Sequence, residues 1–244
     1  MNRFAVKLYR SALLIILFIC GVKAQQVGLI EYLSDPFEQE YLMELVKQHL
    51  FLVGTSMAGA TAIGLGAGIF LTRPRFKKFS HTVMYVISLG QTIPSLAVIA
   101  LAMSALGIGT APAVFALMIY SVLPIARNTM AGINAVSVSL IDAARGIGLT
   151  STQILFSAEL PNAASVILTG FRIALVINVG TAPLGFLVGA GGLGDLIFTG
   201  IDMMEPAKLL AGAIPTTLLA LAGDYICELL GMFFIPKGLQ LKTN

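Results

Sequence analysis

The sequence predicts an all-α integral membrane protein with about six transmembrane helices, and its composition and hydropathy are the reasons. Hydrophobic residues make up 57% of the 244 positions and charged residues only 11%, and the mean hydropathy is +0.91. Soluble domains carry about 25% charged residues because their surfaces face water. So large a deficit of charge indicates that lipid is the solvent for most of the surface.

The first apolar run covers residues 11–22 and is short for a membrane span. Arg3, Lys7 and Arg10 precede it, and "VKA" stands directly before Gln25. These features fit an uncleaved first helix, and they also fit a secretory signal with its cleavage site. We therefore treat residues 1–24 as a transmembrane or signal-like segment and residues 25–49 as an acidic extracytoplasmic segment.

Five further apolar segments meet or approach the length of about 20 residues that a helix needs to cross the hydrocarbon core. They are residues 50–71, 82–106, 112–132, 163–189 and 209–235. Together they predict a five-helix core within a transmembrane domain at 50–236, followed by a short tail at 237–244.

The distribution of positive charge predicts the orientation of these spans. Lys and Arg are enriched on the cytoplasmic side of membrane proteins. If all six segments cross, the basic clusters at both termini, at 73–78 and at 127–145 fall on one side, and the acidic stretches fall on the other. We expect an inner (plasma) membrane protein with both termini and the loop at 133–162 in the cytoplasm.

The loop at 133–162 is far longer than a connector needs. Its pattern predicts a helix over "AVSVSLIDAARGI", a turn at Gly148, and a second helix over "TSTQILFSAEL" that ends before Pro161. Thr150 or Ser151 is placed to cap the second helix, and Gly148 supplies a backbone conformation that most residues resist.

This loop resembles the signature of the permease subunits of ABC importers. That signature reads EAA, three residues, Gly, nine residues, then Ile, any residue, Leu and Pro. Here Asp142, Ala143, Ala144, Gly148, Leu160 and Pro161 stand at the matching positions, and Ala158 replaces the usual Ile. The resemblance implies a coupling helix that docks on separate ATPase subunits. The chain has no GxxxxGK[ST] phosphate loop, so we expect no cofactor in this chain and ATP–Mg on the partner ATPase.

More of the chain is similar to the osmoprotectant branch of these permeases, which imports glycine betaine, choline, carnitine and related compounds. The similar stretches include "QTIPSLAV", "YSVLPIARNT" and "GAGGLGD", and they run from residue 50 to residue 240. Before residue 50 we place no counterpart. Methionine permeases share the coupling loop and the glycine-rich segment, and ergothioneine is a further alternative solute.

Quaternary ammonium groups are usually held by aromatic faces, Trp above all, and this chain contains no Trp. We therefore expect an extracytoplasmic substrate-binding protein to carry the high-affinity site. The further partners implied are a second permease, identical or paralogous, and the lipid membrane; nucleic acid is not among them.

Polar residues within apolar spans are costly unless they face a cavity or one another. Gln91, Thr92, Pro94, Asn178 and Thr181 are therefore candidates for lining the pathway. A neighbouring-helix hydrogen bond is an equal alternative for Gln91.

Arg172 is predicted to lie deep in the fifth span and to pair with Asp224 or Glu228 on the last helix. A structural role for this pair is favoured over a transport role.

Glycine-rich segments have a structural interpretation here. "GAGGLGDLIFTG" lacks the βαβ flanks of a nucleotide fingerprint, so its glycines predict close packing or a broken helix near the outer face. "GTSMAGATAIGLGAG" predicts tight helix packing or a dimer contact.

Other classes of function find little support. Cys20 and Cys227 lie in apolar runs and no His or Cys cluster suggests a metal site. No catalytic constellation suggests an enzyme. An ATP-independent transporter typically shows two related halves with broken helices, and no such repeat is evident.

Overall fold

The computed structural model describes residues 21–234, and their regular secondary structure is entirely helical, with no strand among them. Most of the predicted first helix at 11–22 and the tail at 237–244 lie outside the described residues. The helices are α1 (Leu29–Ser34), α2 (Pro36–Thr72), α3 (Ser80–Thr92), α4 (Ser95–Leu106), α5 (Thr110–Asn134), α6 (Val138–Gly146), α7 (Ser151–Ile154), α8 (Leu160–Thr181), α9 (Gly194–Asp202) and α10 (Pro206–Phe234). A π-helical turn at Leu155–Glu159 joins α7 to α8, and 3₁₀ turns occupy Lys77–Phe79 and Ala182–Val188.

Four of these helical stretches are long and apolar enough to cross a membrane: Pro36–Thr72, Thr110–Asn134, Ser151–Val188 and Pro206–Phe233. The stretch Lys77–Thr92 together with α4 makes a fifth if the bent pair counts as one span. The all-helical membrane fold and its five apolar segments are thus confirmed.

The helix α2 begins earlier than the predicted span at 50–71. Asp35 caps it by accepting a hydrogen bond of 2.8 Å from the backbone N–H of Phe37, and Pro36 stands in its first turn, where a missing N–H costs nothing. With 37 residues the helix is about 55 Å long at 1.5 Å per residue. Since the hydrocarbon core is about 30 Å thick, much of the acidic segment continues the span as helix beyond the membrane.

The segment predicted as one span at 82–106 is broken in the structure. Its two halves, α3 and α4, meet at Ile93 and Pro94 with a bend of 95°. Proline lacks a backbone donor and forces the preceding residue towards extended backbone, and Ile93 is indeed extended at φ −75° and ψ 130°. The Tyr120 hydroxyl donates to the carbonyl that the break frees on Ile93.

The tightest packing joins α2 to α5, and glycines make it possible. A Cβ at Gly64 would lie 2.8 Å from Cβ of Ile125, and one at Gly68 would lie 2.5 Å from Cβ of Thr129. Backbones this close leave no room for a side chain at these two positions of α2. The tight helix packing predicted from "GTSMAGATAIGLGAG" is confirmed within the chain.

This contact yields a matched pair of variants. Gly64→Ala is expected to lower the melting temperature of the detergent-solubilised protein by several degrees, because its methyl group collides with Ile125. Gly66→Ala, two residues along, meets no atom within 4 Å and is expected to leave the melting temperature unchanged or higher, since Ala favours a helix by about 1 kcal/mol over Gly. Equal melting temperatures for the two variants would contradict the packing.

At the other end of the spans, the glycine-rich loop folds back on α2. Gly189, Gly191 and Gly192 all have positive φ, and the backbone N–H of Gly192 donates to Oε1 of Gln48 at 3.0 Å. Tyr41 donates to Asp195 at 2.8 Å. The broken-helix interpretation of "GAGGLGD" is confirmed, because the 3₁₀ turn ends at Val188, directly before this segment, and α9 begins only at Gly194.

The short helix α1 packs beside this end. Tyr32 donates a hydrogen bond to Glu38, and burial together with that bond raises the pKa of the Tyr32 phenol. The phenol therefore stays protonated, and the bond intact, across the physiological pH range.

Candidate functional site

The loop between α5 and α8 folds as the predicted helix, turn and helix. The helix α6 ends at Gly146, and Gly148 takes φ +85°. The backbone N–H of Leu149 then reaches back to the carbonyl of Ala144 at 3.1 Å. A left-handed residue that closes such a bond is typical of helix ends and favours glycine. Gly148 is therefore required by the turn itself.

The second helix starts with a capping box. Thr150 accepts a hydrogen bond from the backbone N–H of Gln153, and the Gln153 side chain accepts one from the backbone N–H of Thr150 at 2.8 Å. These reciprocal bonds satisfy two donors that a helix start would leave unpaired. The predicted cap is confirmed at Thr150.

A small apolar cluster holds the two helices of the loop together. Ala144 of the signature, Ile154 and Ala158 are its buried members, and Ile141 and Leu149 pack against them. Ala158, which replaces the usual Ile of the signature, is 5% exposed. The apolar contact at this position is therefore kept with a smaller side chain.

The outer side of the loop presents a different, exposed apolar surface. Val138, Ile147 and Phe156 are 73%, 78% and 65% exposed. An exposed ion pair between Asp142 and Arg145, at 3.3 Å, lies on α6. Large exposed apolar side chains rimmed by charge are typical of a surface that binds another protein. We name the side chains of Val138, Asp142, Arg145, Ile147 and Phe156 the coupling surface.

The prediction that the second helix ends before Pro161 is wrong. The π turn at Leu155–Glu159 leads directly into α8, and Pro161 lies in the first turn of that helix. In the π turn the N–H of Leu160 bonds the carbonyl of Leu155, and the next residue, Pro161, needs no backbone acceptor because it has no N–H. The coupling loop is thus continuous with a membrane span.

An ion pair ties this junction to α2. Arg73, which caps the end of α2, donates to Glu159 and also to Oγ1 of Thr72 at 3.0 Å. The two charged side chains are only 24% and 15% exposed. Sequence reasoning missed this pair, although both residues lie at the predicted cytoplasmic ends of spans and carry opposite charge.

On the coupling role that the signature of this loop implies, we expect Arg73→Gln to lower ATP-driven solute uptake several-fold, because it releases the end of α2 from the loop. Arg75→Gln removes the same charge from an exposed side chain two residues away and is expected to leave uptake unchanged. Uptake in whole cells, normalised to permease level, measures both. Equal uptake by the two variants would show that the ion pair plays no part in coupling.

The five candidate pathway residues lie in three places. Gln91, Thr92 and Pro94 stand at the break between α3 and α4, where the Gln91 amide donates to the carbonyl of Tyr120 at 2.7 Å. Thr181 bonds the carbonyl of Ile177 in its own helix at 2.8 Å. That they line a pathway stays a prediction.

Asn178 occupies a different place, fully buried among α2, α5 and α8. Its amide nitrogen donates to the hydroxyls of Ser56 at 3.0 Å and Ser121 at 2.8 Å. A polar cluster satisfied in this way fixes the register of packed helices. Sequence reasoning did not find this cluster, because its members lie on helices far apart along the chain.

The predicted partner of Arg172 was Asp224 or Glu228, and the structure joins Arg172 to both. Nε and Nη2 of Arg172 reach the two oxygens of Asp224 at 2.6 and 2.8 Å, and Nη2 also reaches Oε2 of Glu228 at 3.0 Å. This bidentate geometry is the strongest that a guanidinium and a carboxylate form. It links the middle of α8 to α10.

An all-helical chain with apolar spans and a structured helical loop between two of them has the architecture of a membrane transport subunit. Residues 64–232 match the family described as "Binding-protein-dependent transport system inner membrane component", and this chain belongs to that family.

Three comparisons give the family relation more detail. The osmoprotectant import permease protein OsmY of Salmonella typhimurium is 47% identical over 229 residues, which cover 92% of each chain. The carnitine transport permease protein OpuCB of Listeria monocytogenes is 42% identical over 193 residues, 79% of this chain and 88% of that protein. A structure of the inward-facing MetNI methionine ABC transporter is 26% identical with a TM-score of 0.67, over 80% of this chain and 99% of that chain.

The first comparison also corrects an expectation. No counterpart was placed before residue 50, yet an alignment that covers 92% of the 244 residues necessarily extends into the residues before that position. The acidic segment is therefore shared, in part, with this relative.

Proposed function

We infer that this chain is the permease subunit of an ATP-driven importer for a quaternary ammonium osmoprotectant such as glycine betaine, choline or carnitine. The observation that carries this inference is the 47% identity, over 92% of both chains, to an osmoprotectant import permease. Relatives named for carnitine and choline transport are 42% and 37% identical. The methionine transporter structure, at 26%, is the more distant relation.

The coupling surface supports a mechanism in which ATP–Mg is bound and hydrolysed by separate ATPase subunits. An ATPase subunit that docks on Ile147 and Phe156 would push the whole loop when it closes, because the two helices of the loop share an apolar core. The π turn transmits the push to α8, and Arg73 with Glu159 transmits it to α2. ATP binding then biases the spans between inward-open and outward-open states, because a ligand shifts an equilibrium only by binding the two states differently.

The other partners follow from the same arrangement. A second permease, identical or related, completes the pathway, and an extracytoplasmic binding protein delivers solute at the end formed by α1, α9 and the glycine-rich loop. The C-terminus then lies in the cytoplasm with the coupling surface. The chain moves solute and catalyses no chemical step.

Uptake of labelled glycine betaine, choline, carnitine and methionine by cells with and without this gene tests the proposal. Loss of uptake of one or more quaternary ammonium solutes, with methionine uptake unchanged, is the expected result. Loss of methionine uptake alone would make the chain a methionine permease, and unchanged uptake after removal of the cellular ATPase partners would make it an ATP-independent transporter.

A further inference from the structure

The cluster of Arg172, Asp224 and Glu228 lies at mid-depth in the helices that hold it. At 1.5 Å per residue, Asp224 is about 27 Å from the first residue of α10 and about 15 Å from Phe234, the last that is described. Arg172 is about 18 Å from the start of α8 by the same measure. In either orientation of the chain these charges fall within a hydrocarbon core of about 30 Å.

The cluster is not electrically balanced. It holds two carboxylates against one guanidinium, and Arg172 bonds both oxygens of Asp224 but only one oxygen of Glu228. The Glu228 side chain is also the most open of the three, at 51% exposed against 28% for Arg172 and 36% for Asp224. The surplus negative charge therefore lies on Glu228, whose exposed side chain a second cation can reach.

An open cavity of about 410 Å³ adjoins the cluster, lined by Arg172 and Asp224 together with Thr169, Ile173, Val176 and Ile177. Lipid is a poor occupant of this face because exposed charge in hydrocarbon is expensive. A closely packed identical copy is also disfavoured, since two clusters of net charge −1 repel each other. Water and a passing cation satisfy both constraints.

Holding α8 against α10 does not require Glu228. Asp224 already engages Arg172 through two hydrogen bonds, whereas Glu228 adds a single bond from one turn further along α10. A purely structural cluster would therefore be complete, and neutral, without the second carboxylate.

We propose that this cluster faces the solute pathway and that the Glu228 carboxylate attracts the quaternary ammonium group as the solute passes. This inference rests on the proposed function and names the group of this chain that selects for positive charge. Choline, a net cation, depends on that carboxylate more than glycine betaine, whose own carboxylate is repelled by the same charge.

The test compares choline and glycine betaine uptake by the complete transport system carrying Glu228→Gln. We expect the ratio of choline uptake to glycine betaine uptake, measured below saturation, to fall about tenfold. Glu40→Gln makes the same substitution at an exposed carboxylate near the start of α2 and should leave the ratio unchanged. Glu228→Asp keeps the charge and should keep most of the preference.

The ratio is independent of how much permease accumulates, so a poorly folded Glu228→Gln variant still gives a decisive value. An unchanged ratio, or an equal fall for Glu40→Gln, overturns the role of Glu228 and leaves the proposed function standing. A wild-type system that imports glycine betaine but excludes choline also overturns that role. A wild type that imports carnitine alone likewise overturns the role of Glu228, and one that takes up none of the three solutes overturns the proposed function itself.

Discussion

Gly148→Val is expected to separate this permease from the ATPase subunits proposed to dock on it and to reduce uptake to less than about a tenth of the wild-type rate. Gly148 takes φ +85°, a region that costs a side-chain-bearing residue about 1 to 2 kcal/mol and is worst for a β-branched one. Among residues 21–234, none beyond the two chain neighbours has an atom within 4 Å of the added Cβ, so the effect arises from the backbone. The turn must reopen, and the two loop helices lose their relative orientation.

The consequence falls on the coupling surface, because Ile147 lies directly before the turn and Phe156 lies beyond it. A partner that contacts both side chains loses shape complementarity when one helix swings. Purification in mild detergent, followed by mass spectrometry, measures whether the ATPase subunit accompanies the permease.

Gly146→Val is the matched control. This glycine lies two residues earlier at the end of α6, has no positive φ, and also meets no atom within 4 Å of an added Cβ. We expect this control to retain the ATPase subunit and most of the uptake. If Gly148→Val retains the ATPase subunit as fully as the control does, the turn does not shape a docking surface.

The coupling loop was largely predictable because its determinants are local. A glycine at a helix end, a Thr150 cap with Gln153 three residues later, and an apolar spacing that buries Ala144 all act within a few residues of one another. Local hydrogen bonds and periodicity are what a single sequence displays best. The same reasoning explains why the apolar spans were found.

The features that sequence reasoning missed depend on contacts between distant segments. The pair of Arg73 and Glu159 joins residues 86 positions apart, and Asn178 meets Ser56 across 122 positions. The π turn before Pro161 is a local irregularity of the backbone that neither periodicity nor a capping residue indicates. The broken span at Pro94 lies between these cases: a proline disfavours helical backbone locally, and the carbonyl contact from Tyr120 accompanies the bend of 95°.

Arg172→Gln is expected to have the largest effect on folding, lowering the amount of permease in the membrane several-fold. It leaves Asp224 and Glu228 with no cation among their described contacts, and two neighbouring like charges at mid-depth in the spans are costly even where water reaches them. Asp224→Asn should cost less, because Arg172 keeps its bond to Glu228 at 3.0 Å. Arg145→Gln, which removes a cation from an exposed pair, should leave the amount unchanged.

The charge exchange Arg172→Asp with Asp224→Arg decides whether loss of the ion pair itself lowers the amount of permease in the membrane. The double variant restores a cation and an anion across the same gap between α8 and α10, so we expect it to accumulate better than either of its single components. Membrane levels measured by immunoblot in parallel cultures give the comparison. No recovery in the double variant would mean that Arg172 supports the fold through contacts other than the ion pair. Recovery of the membrane level without recovery of uptake would instead separate the two roles of the cluster: the pair of Arg172 and Asp224 holds the helices, and the arrangement of charge around Glu228 serves transport.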